Sequence, residues 1–228
     1  MASASDKVAS ELRDRIVSGD LSLGAKLPNE GELGDLFGVS RLTAREALKA
    51  LGSEGLIETK RGVNGGSFIV APAPAHVADR LETSVGLLSA AEVLSVQDLL
   101  EARSMVEVPA ARLAAERRTE DDVTQLRICV EEEVEVSSAL DVRLAFHDRV
   151  VGASKNPLLS IMSRSVHQPL RTRFLRDKAG AAFWRDVHHD HGRIADAIAA
   201  GDADAAAAEM AAHLDRLRIT YEVIDPVE

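Results

Sequence analysis

Three histidines in the second half of the chain, His147, His191 and His213, have the residue type and surroundings that suit metal binding. Each is spaced at helical intervals from apolar residues, so each is predicted to face the interior of a helical domain. Burying three imidazoles without a shared partner is costly, whereas three neutral imidazoles can hold a zinc ion and leave a fourth position open. A divalent metal such as zinc is one predicted occupant, and three separate hydrogen-bonded core histidines are the alternative.

Two arginines near these histidines indicate a different occupant. Arg143 lies one helical turn before His147, and a guanidinium cannot coordinate a cation and repels it. Arg103 interrupts an apolar helical stripe, and a buried arginine requires a partner. That partner is either Glu107, four residues further on, or a carboxylate ligand that Arg103 and Arg143 clamp.

Two further polar features belong to this region, His188 and the acidic run at 131–133. His188 lies one turn before His191 on the same helical face and is predicted to join the pocket. The acidic run at 131–133 is interpreted as a solvated helix face. With no acidic residue expected beside the histidines and no nucleophile motif in the sequence, a metal-dependent hydrolase lacks its general base and is disfavoured.

The first part of the chain contains a basic cluster. The 228 residues carry a net charge of −10, but the first 74 are nearly balanced, with 9 basic and 10 acidic side chains. Five basic residues lie between positions 41 and 61: Arg41, Arg45, Lys49, Lys60 and Arg61. A local basic face of this kind can bind DNA phosphates even on an acidic protein.

Capping and turn residues predict the elements that position this cluster. A first helix ends near Gly19, a short second helix begins at Asn29, and Ser40 caps a third helix over 41–51. Two short strands around a glycine turn follow, forming a β-wing. Three helices and a wing make a winged helix-turn-helix, whose third helix presents two arginines, four residues apart, to the major groove.

Alternating prolines at 72 and 74 predict an interdomain linker over 71–75, between a winged domain at 1–70 and a second domain at 76–228. Seven helices are predicted in the second domain, at 76–89, 92–117, 120–138, 140–153, 157–178, 181–200 and 202–222. They form an antiparallel bundle, so the fold class is mainly α. Pro109 and Pro169 fall inside two of these helices and are expected to kink or interrupt them.

Composition excludes several classes of protein. Aromatic residues make up 3% of the chain against 46% hydrophobic residues, which favours close-packed helices over an all-β fold. The single Cys129 cannot form an internal disulfide, which predicts a reducing, cytoplasmic setting. No stretch approaches 18 apolar residues and the first ten lack a signal-peptide core, so no membrane segment is expected.

Several short stretches together identify a family. In the first part they are Leu27-Pro28-Asn29-Glu30, the run from Phe37 to Leu48 and the run from Leu51 to Ile57. These resemble the DNA-binding domain of the GntR family of bacterial regulators over residues 8–70. In the second part they are 98–103, 110–115, Phe146-His147, 156–159, Asp190-His191, and Gly201-Asp202 with His213. These resemble the FadR-type, or FCD-type, effector domain of the same family.

The resemblance implies roles for residues of the first part. Arg41 and Arg45 match arginines that read guanines, and residues 62–66 match the wing that reaches the minor groove. The residues expected to contact DNA are Ser40, Arg41, Thr43, Arg45, Lys49, Lys60, Arg61 and Gly65. Family members usually have an arginine after Glu30, where this chain has Gly31, so a different operator preference is expected.

For the second part the resemblance implies a metal site of three histidines plus an aspartate, at whose position this chain has Arg143, and an arginine for an acidic effector that matches Arg103. The expected metal ligands are His147, His191 and His213. The expected effector-binding residues are Arg103, Arg143 and His188. Family members also dimerise.

The sequence therefore predicts a regulator of transcription and not an enzyme. It is expected to bind an inverted repeat in double-stranded operator DNA as a homodimer. A small effector, expected to be a carboxylate, and possible metal binding at the histidines would modulate the DNA affinity. A metal-sensing regulator is the alternative, and a metal-dependent hydrolase is a more distant one.

Overall fold

A computed structural model of the chain describes residues 2–135, 140–173 and 180–224. The chain divides into two compact units, residues 1–73 and 74–228, each with its own hydrophobic core. The small unit holds the basic cluster and the large unit holds the histidines.

The small unit contains three helices and a two-stranded sheet. Helices α1 (Ala4–Val17), α2 (Glu30–Phe37) and α3 (Arg41–Ser53) precede strands β1 (Ile57–Lys60) and β2 (Gly66–Ile69). The strands pair antiparallel, with Ile57 opposite Ile69 and Lys60 opposite Gly66. The predicted winged helix-turn-helix is confirmed.

Local capping explains where the small unit's helices begin and end. The Asn29 side chain accepts hydrogen bonds from the first turn of α2, and the Glu32 carboxylate accepts one from the Asn29 backbone N–H. Gly38 ends α2 in the left-handed conformation, with φ of 64°, which a glycine adopts without strain. Ser40 then caps α3 two residues later. This tight turn sets α3 against α2 and leaves one face of α3 exposed.

The large unit is helical, and the described residues form seven helices as predicted. These are α4 (Pro74–Ala90), α5 (Val96–Arg117), α6 (Glu120–Glu135), α7 (Leu140–Ala153), α8 (Pro157–Arg173), α9 (Ala181–Ala200) and α10 (Ala203–Ile224). The predicted ends of α6 and α8, at 138 and 178, lie outside the described residues. Among the helices that the structure describes, none is long and apolar enough to cross a membrane.

Three details differ from the sequence prediction. Helix α4 begins at Pro74, inside the predicted linker, because a proline needs no backbone donor in the first turn of a helix. Helix α5 begins at Val96 rather than at 92, because Ser95 and Asp98 form a capping box there. Pro109 and Pro169 lie inside α5 and α8, and neither proline divides its helix.

Helix α5 is the centre of the large unit, where it contacts α7, α8, α9 and α10, while α4 packs on α8. The core around it is built largely from aliphatic side chains and alanines such as Ala110, Ile194 and Met210, all fully buried. Small residues let the helices approach closely, so polar side chains from different helices meet in the interior. This packing brings the predicted site residues together.

Candidate functional site

The three histidines of the large unit form one buried cluster. His147 on α7, His191 on α9 and His213 on α10 are 2%, 0% and 0% exposed. One ring nitrogen of each lies within 4.8 Å of the others, and the Nε2 atoms of His191 and His213 are 3.3 Å apart. The rings are close enough to share a single ligand.

A carboxylate holds the Nδ1 atom of each histidine. His147 Nδ1 lies 2.6 Å from Glu107, His191 Nδ1 lies 2.5 Å from Glu133, and His213 Nδ1 lies 3.1 Å from Asp190. A carboxylate only accepts hydrogen bonds, so each Nδ1 donates and each Nε2 keeps its lone pair for the shared space. Carboxylate-held imidazoles of this kind are typical of metal-ligating histidines.

The protonation of the cluster also suits a metal. Burial lowers the pKa of His147 well below its usual range, with the Arg103 charge adding to the effect. Burial lowers the pKa of His213 to about 3, against the opposing effect of the hydrogen bond that its Nδ1 donates to Asp190. Both imidazoles are therefore neutral at pH 7, the form that coordinates a divalent ion. The donor set fits such an ion.

Two expectations about acidic residues were wrong. Glu131 and Glu132 are exposed, but Glu133 is buried, because it continues the inward stripe that Leu126 and Cys129 begin on α6. Acidic residues do stand beside the histidines, namely Glu107, Glu133 and Asp190. All three bind the Nδ1 side of the rings, away from the space that the Nε2 atoms share.

Glu107 connects the histidine cluster to Arg103. Its carboxylate lies 2.7 Å from Arg103 Nε and 2.8 Å from Nε2 of His167, besides the contact with His147. Burial alone would raise the pKa of Glu107, but the Arg103 charge and the hydrogen bonds from His147 and His167 hold it well below its usual range. The structure therefore contains the Arg103–Glu107 pair that the spacing allowed, and it still leaves Nη2 of Arg103 without a hydrogen-bond partner in the described residues.

His167, for which no sequence pattern predicts a partner, belongs to the same network. Its Nδ1 lies 3.1 Å from Asp148, and its ring is 2% exposed. Burial lowers its pKa, but the hydrogen bonds to Asp148 and Glu107 outweigh this and raise it. A helical stripe through α8 would have marked His167 as buried, but its partners lie 19 and 60 residues away in sequence.

Arg143 is buried in the same region, with 4% of its surface exposed. The guanidinium lies over the ring of Trp184, with the Cζ atom 4.5 Å from the ring centre. Its Nε and Nη1 atoms have no hydrogen-bond partner among the residues that the structure describes. Burial lowers the pKa of Arg143, and the Glu133 charge opposes that effect, so the side chain remains cationic.

One small cavity lies between these groups. It has a volume of about 10 Å³, and its lining includes Arg103, Arg143 and the three histidines. Space of this size is close to the least that holds one water. Its lining combines the unpaired guanidinium nitrogens of Arg103 and Arg143 with the histidines, so the walls carry hydrogen-bond donors for an anion and ligand atoms for a metal ion.

His188 does not reach this cavity directly. Its side chain is 29% exposed, and its Nδ1 is 3.7 Å from Glu133, beyond hydrogen-bond distance. Within the described part of the chain, the cavity lining lacks His188. Glu133 lies next to both His188 and His191, so it separates His188 from the cluster, and contact of His188 with an effector stays a prediction.

The small unit presents its basic residues on the exposed face of α3. Arg41, Arg45 and Lys49 line an open cleft of about 1470 Å³ between α3 and the wing. Arg45 Nε lies 3.1 Å from Glu30, and the Arg45 side chain is still 65% exposed. Ser40 and Thr43 are engaged in capping, since Ser40 Oγ accepts a hydrogen bond from the Thr43 amide at 3.1 Å.

The wing forms the other wall of this cleft, with Gly65 and Ser67 in its lining. A side chain at Gly65 would collide with the Lys60 carbonyl oxygen, so only glycine permits this tight turn. Lys60 lies over the Phe68 ring at 5.5 Å, and Arg61 is exposed.

Sequence reasoning missed one cation of the cleft, Lys26. It lines the cleft and lies 5.9 Å from the Phe68 ring centre, and its backbone bridges to Phe68. Lys26 directly precedes the family stretch Leu27-Pro28-Asn29-Glu30, and this position could have indicated that it lies near the DNA-binding surface. Beside the cleft, a Cβ atom at Gly31 would lie 3.9 Å from Arg41 Nε, so the glycine leaves space next to that arginine.

Each of the two units matches a known protein family. Residues 4–69 match the model of bacterial regulatory proteins of the gntR family, and residues 98–216 match the FCD domain. The chain is 34% identical to the HTH-type transcriptional regulator LutR of Bacillus subtilis (strain 168), over 87% of this chain and 92% of that protein. It is 31% identical to the galactonate operon transcriptional repressor of Escherichia coli (strain K12), over 88% and 89%.

A solved structure shows the same arrangement of elements. Streptococcus agalactiae GntR superposes with a TM-score of 0.53 at 25% identity, covering 94% of this chain and 99% of that one. The match spans both units and supports the winged helix and helical bundle described above.

Proposed function

This chain belongs to the GntR family of bacterial regulatory proteins and carries an FCD domain, and from that premise we propose how it acts. The family consists of transcription regulators and not enzymes. The small unit binds operator DNA, and a small carboxylate in the cavity of the large unit changes that binding. The observation that carries the proposal is the pair of buried arginines whose unpaired nitrogens share one cavity with the histidine cluster.

For DNA recognition, α3 enters the major groove and Arg41 and Arg45 bind guanines. The cleft that these arginines line is wide and open, and its other wall carries wing residues suited to phosphate or minor-groove contact. The further contacts are assigned to Ser40, Thr43, Lys49, Lys60, Arg61 and Gly65. One α3 per chain makes too few base contacts for a unique site, so the active form is a homodimer on an inverted repeat.

For the effector, a carboxylate satisfies the unpaired donors better than a neutral ligand does. Nη2 of Arg103 and the Nε and Nη1 atoms of Arg143 each lack a partner in the described residues, and a carboxylate accepts several such bonds at once. A relative is named for the galactonate operon, and galactonate is itself a hydroxycarboxylate. L-lactate is a smaller hydroxycarboxylate of the same class.

The histidine cluster also fits a divalent ion such as zinc, held by the Nε2 atoms of His147, His191 and His213. When bound, the ion supplies a Lewis-acidic charge that attracts a carboxylate. The protein's own residues hold the imidazoles in place through Glu107, Glu133 and Asp190. A metal-sensing regulator is the second candidate, and the same histidine geometry favours it.

Electrophoretic mobility shifts with DNA from the upstream region of its own gene test the proposal. We expect small hydroxycarboxylates such as L-lactate to change the operator affinity at least fivefold for the wild-type protein, but not for Arg103→Ala. The exposed Arg112→Ala is the matched control and should respond like the wild type. Zinc alone producing the full change would favour the metal sensor. Specific DNA binding unaffected by any carboxylate or metal would refute the effector role.

A further inference from the structure

Arg143 places a buried positive charge beside a cluster of metal-donor atoms. It lines the same cavity as His147, His191 and His213, whose Nε2 atoms carry the free lone pairs. Two cationic groups in one small buried space repel each other strongly, because little water screens them. A divalent ion that binds without an anion is therefore coordinated by the histidine Nε2 atoms but repelled by the Arg143 guanidinium.

The neighbouring carboxylates do not neutralise the Arg143 charge through a hydrogen-bonded ion pair. Glu107 is bonded to Arg103, His147 and His167, and Glu133 is bonded through one oxygen to His191. The second oxygen of Glu133 and the Nε and Nη1 atoms of Arg143 each lack a hydrogen-bond partner within the described residues. Arg143 and Glu133 attract each other electrostatically but form no hydrogen bond that would fix them together.

An anion between Arg143 and the histidines supplies the missing hydrogen-bond partner and also offsets the positive charge of Arg143. It accepts hydrogen bonds from the unpaired guanidinium nitrogens, and its negative charge lies next to the position that a metal would occupy at the Nε2 atoms. The same negative charge attracts a cation. The metal ion and the carboxylate therefore each increase the affinity of the site for the other, which is positive coupling between two ligands.

We infer that Arg143 makes metal and carboxylate binding cooperative in this protein, so that zinc binds tightly only together with an acidic ligand. The inference rests on the proposed function, which includes the carboxylate effector and the histidine metal site. It adds that the affinity for zinc depends on the bound carboxylate. Arg143 acts as the coupling residue, and the pocket then responds to a combination of metal and acid rather than to either alone.

Calorimetric titration with zinc tests the coupling, with and without saturating L-lactate as the probe. For the wild type, we expect the zinc Kd to fall at least about tenfold in the presence of lactate, within the usual range of couplings between ligands. Lactate affinity should rise by the same factor when zinc is present, because the coupling is reciprocal. A titration of His191→Ala corrects for zinc–lactate complexes formed in solution.

Three variants separate coupling from simple loss of binding. Arg143→Ala should bind zinc alone more tightly than the wild type, because the opposing charge is gone, and its coupling should be clearly smaller than that of the wild type. Arg143→Asp should bind zinc tightly without lactate, because an added carboxylate replaces the opposing charge. The exposed Arg185→Asp makes the same charge change on α9 and should retain the wild-type coupling. Thermal melting followed by circular dichroism checks that each variant is folded.

The outcomes distinguish this inference from the proposed function. Equal zinc affinity with and without lactate in the wild type, or no zinc binding under either condition, would overturn the coupling. Operator release by lactate would then still support the proposed function. If lactate binds the wild-type protein neither with nor without zinc, and leaves the operator affinity unchanged, the proposed effector class fails as well.

Discussion

The two units expose their functional residues to very different degrees. In the small unit the cations of α3 are exposed, with the Arg45 side chain at 65%, and short-range caps and turns position them. In the large unit Arg103, Arg143 and the three clustered histidines are nearly fully buried, and these residues and their partners lie on α5, α6, α7, α9 and α10. A surface for DNA can be built from one helix, whereas a pocket for a small ion needs contributions from most of a domain.

This difference predicts where single substitutions act. A change on the DNA-facing surface should alter binding and leave the fold intact, because the side chain has few internal partners. A change in the buried network should alter stability first, because it leaves other buried groups without partners.

Removing Glu107 should have the largest effect. Glu107→Ala leaves Arg103, His147 and His167 without their shared buried acceptor, which should cost about 3–5 kcal/mol of the free energy of unfolding. Urea unfolding followed by Trp184 fluorescence reports on the large unit, since this is the only tryptophan in the chain. The control is Glu209→Ala, which removes a more exposed partner of Arg193 and should cost under about 1 kcal/mol. Equal losses in the two variants would contradict the division.

The arginines of α3 should show the opposite behaviour. Arg41→Ala and Arg45→Ala should each weaken operator binding by about 1–3 kcal/mol and leave the unfolding free energy nearly unchanged. Lys60→Ala and Arg61→Ala should weaken binding with less effect on sequence preference, because phosphate contacts carry no base information. Fluorescence anisotropy on operator and scrambled DNA measures both properties. Unchanged affinity in both α3 variants would refute α3 as the reading helix.

Ser40 separates capping from DNA contact within the small unit. Ser40→Ala removes the side-chain acceptor for the Thr43 amide and should destabilise α3 by about 1 kcal/mol. Hydrogen exchange of the α3 amides should then accelerate roughly fivefold. Ser40→Asp keeps an acceptor and should exchange like the wild type, but its charge should weaken binding to DNA phosphates. Fast exchange in both variants would mean that the cap does not stabilise α3.

Asp122 tests the exposed charges of the large unit. Burial would raise its pKa, but hydrogen bonds from Lys155 and Thr119 lower it to about 2. Because the pKa in the folded state is depressed, its stabilisation is fully present above the unfolded value near 4 and is lost as the pH falls toward 2. Asp122→Asn should therefore differ from the wild type by under about 1 kcal/mol at pH 6, and by less at pH 2.5. A difference that grows on acidification would have the wrong sign.

The sequence was sufficient for the parts that depend on local signals. The capping pattern at Asn29 and Ser40 and the glycine turn of the wing fixed the small unit, and helical spacing placed the three histidines in the interior. Helix starts at Pro74 and Val96 were missed by two and four residues, because a proline or a serine cap outweighed the periodicity.

The sequence was insufficient where a site depends on several helices. Glu133 looked solvated within an acidic run, although its spacing from Leu126 and Cys129 indicated burial. The position of His167 followed from contacts with Glu107 and Asp148, which no local pattern could supply. His188 shares a helical face with His191, yet Glu133 separates it from the cavity. Helical spacing predicts that a residue is buried in the core, but it does not predict which residues of other helices that side chain contacts.

We propose that ligand binding in the buried pocket and DNA binding by α3 are coupled. Calorimetric measurement of L-lactate affinity, in the presence of zinc and with or without saturating operator DNA, tests this coupling. Linkage requires that DNA change the lactate Kd by the same factor by which lactate changes the operator Kd. We predict matching changes of at least fivefold. A lactate Kd that is unchanged by operator DNA would contradict the claim.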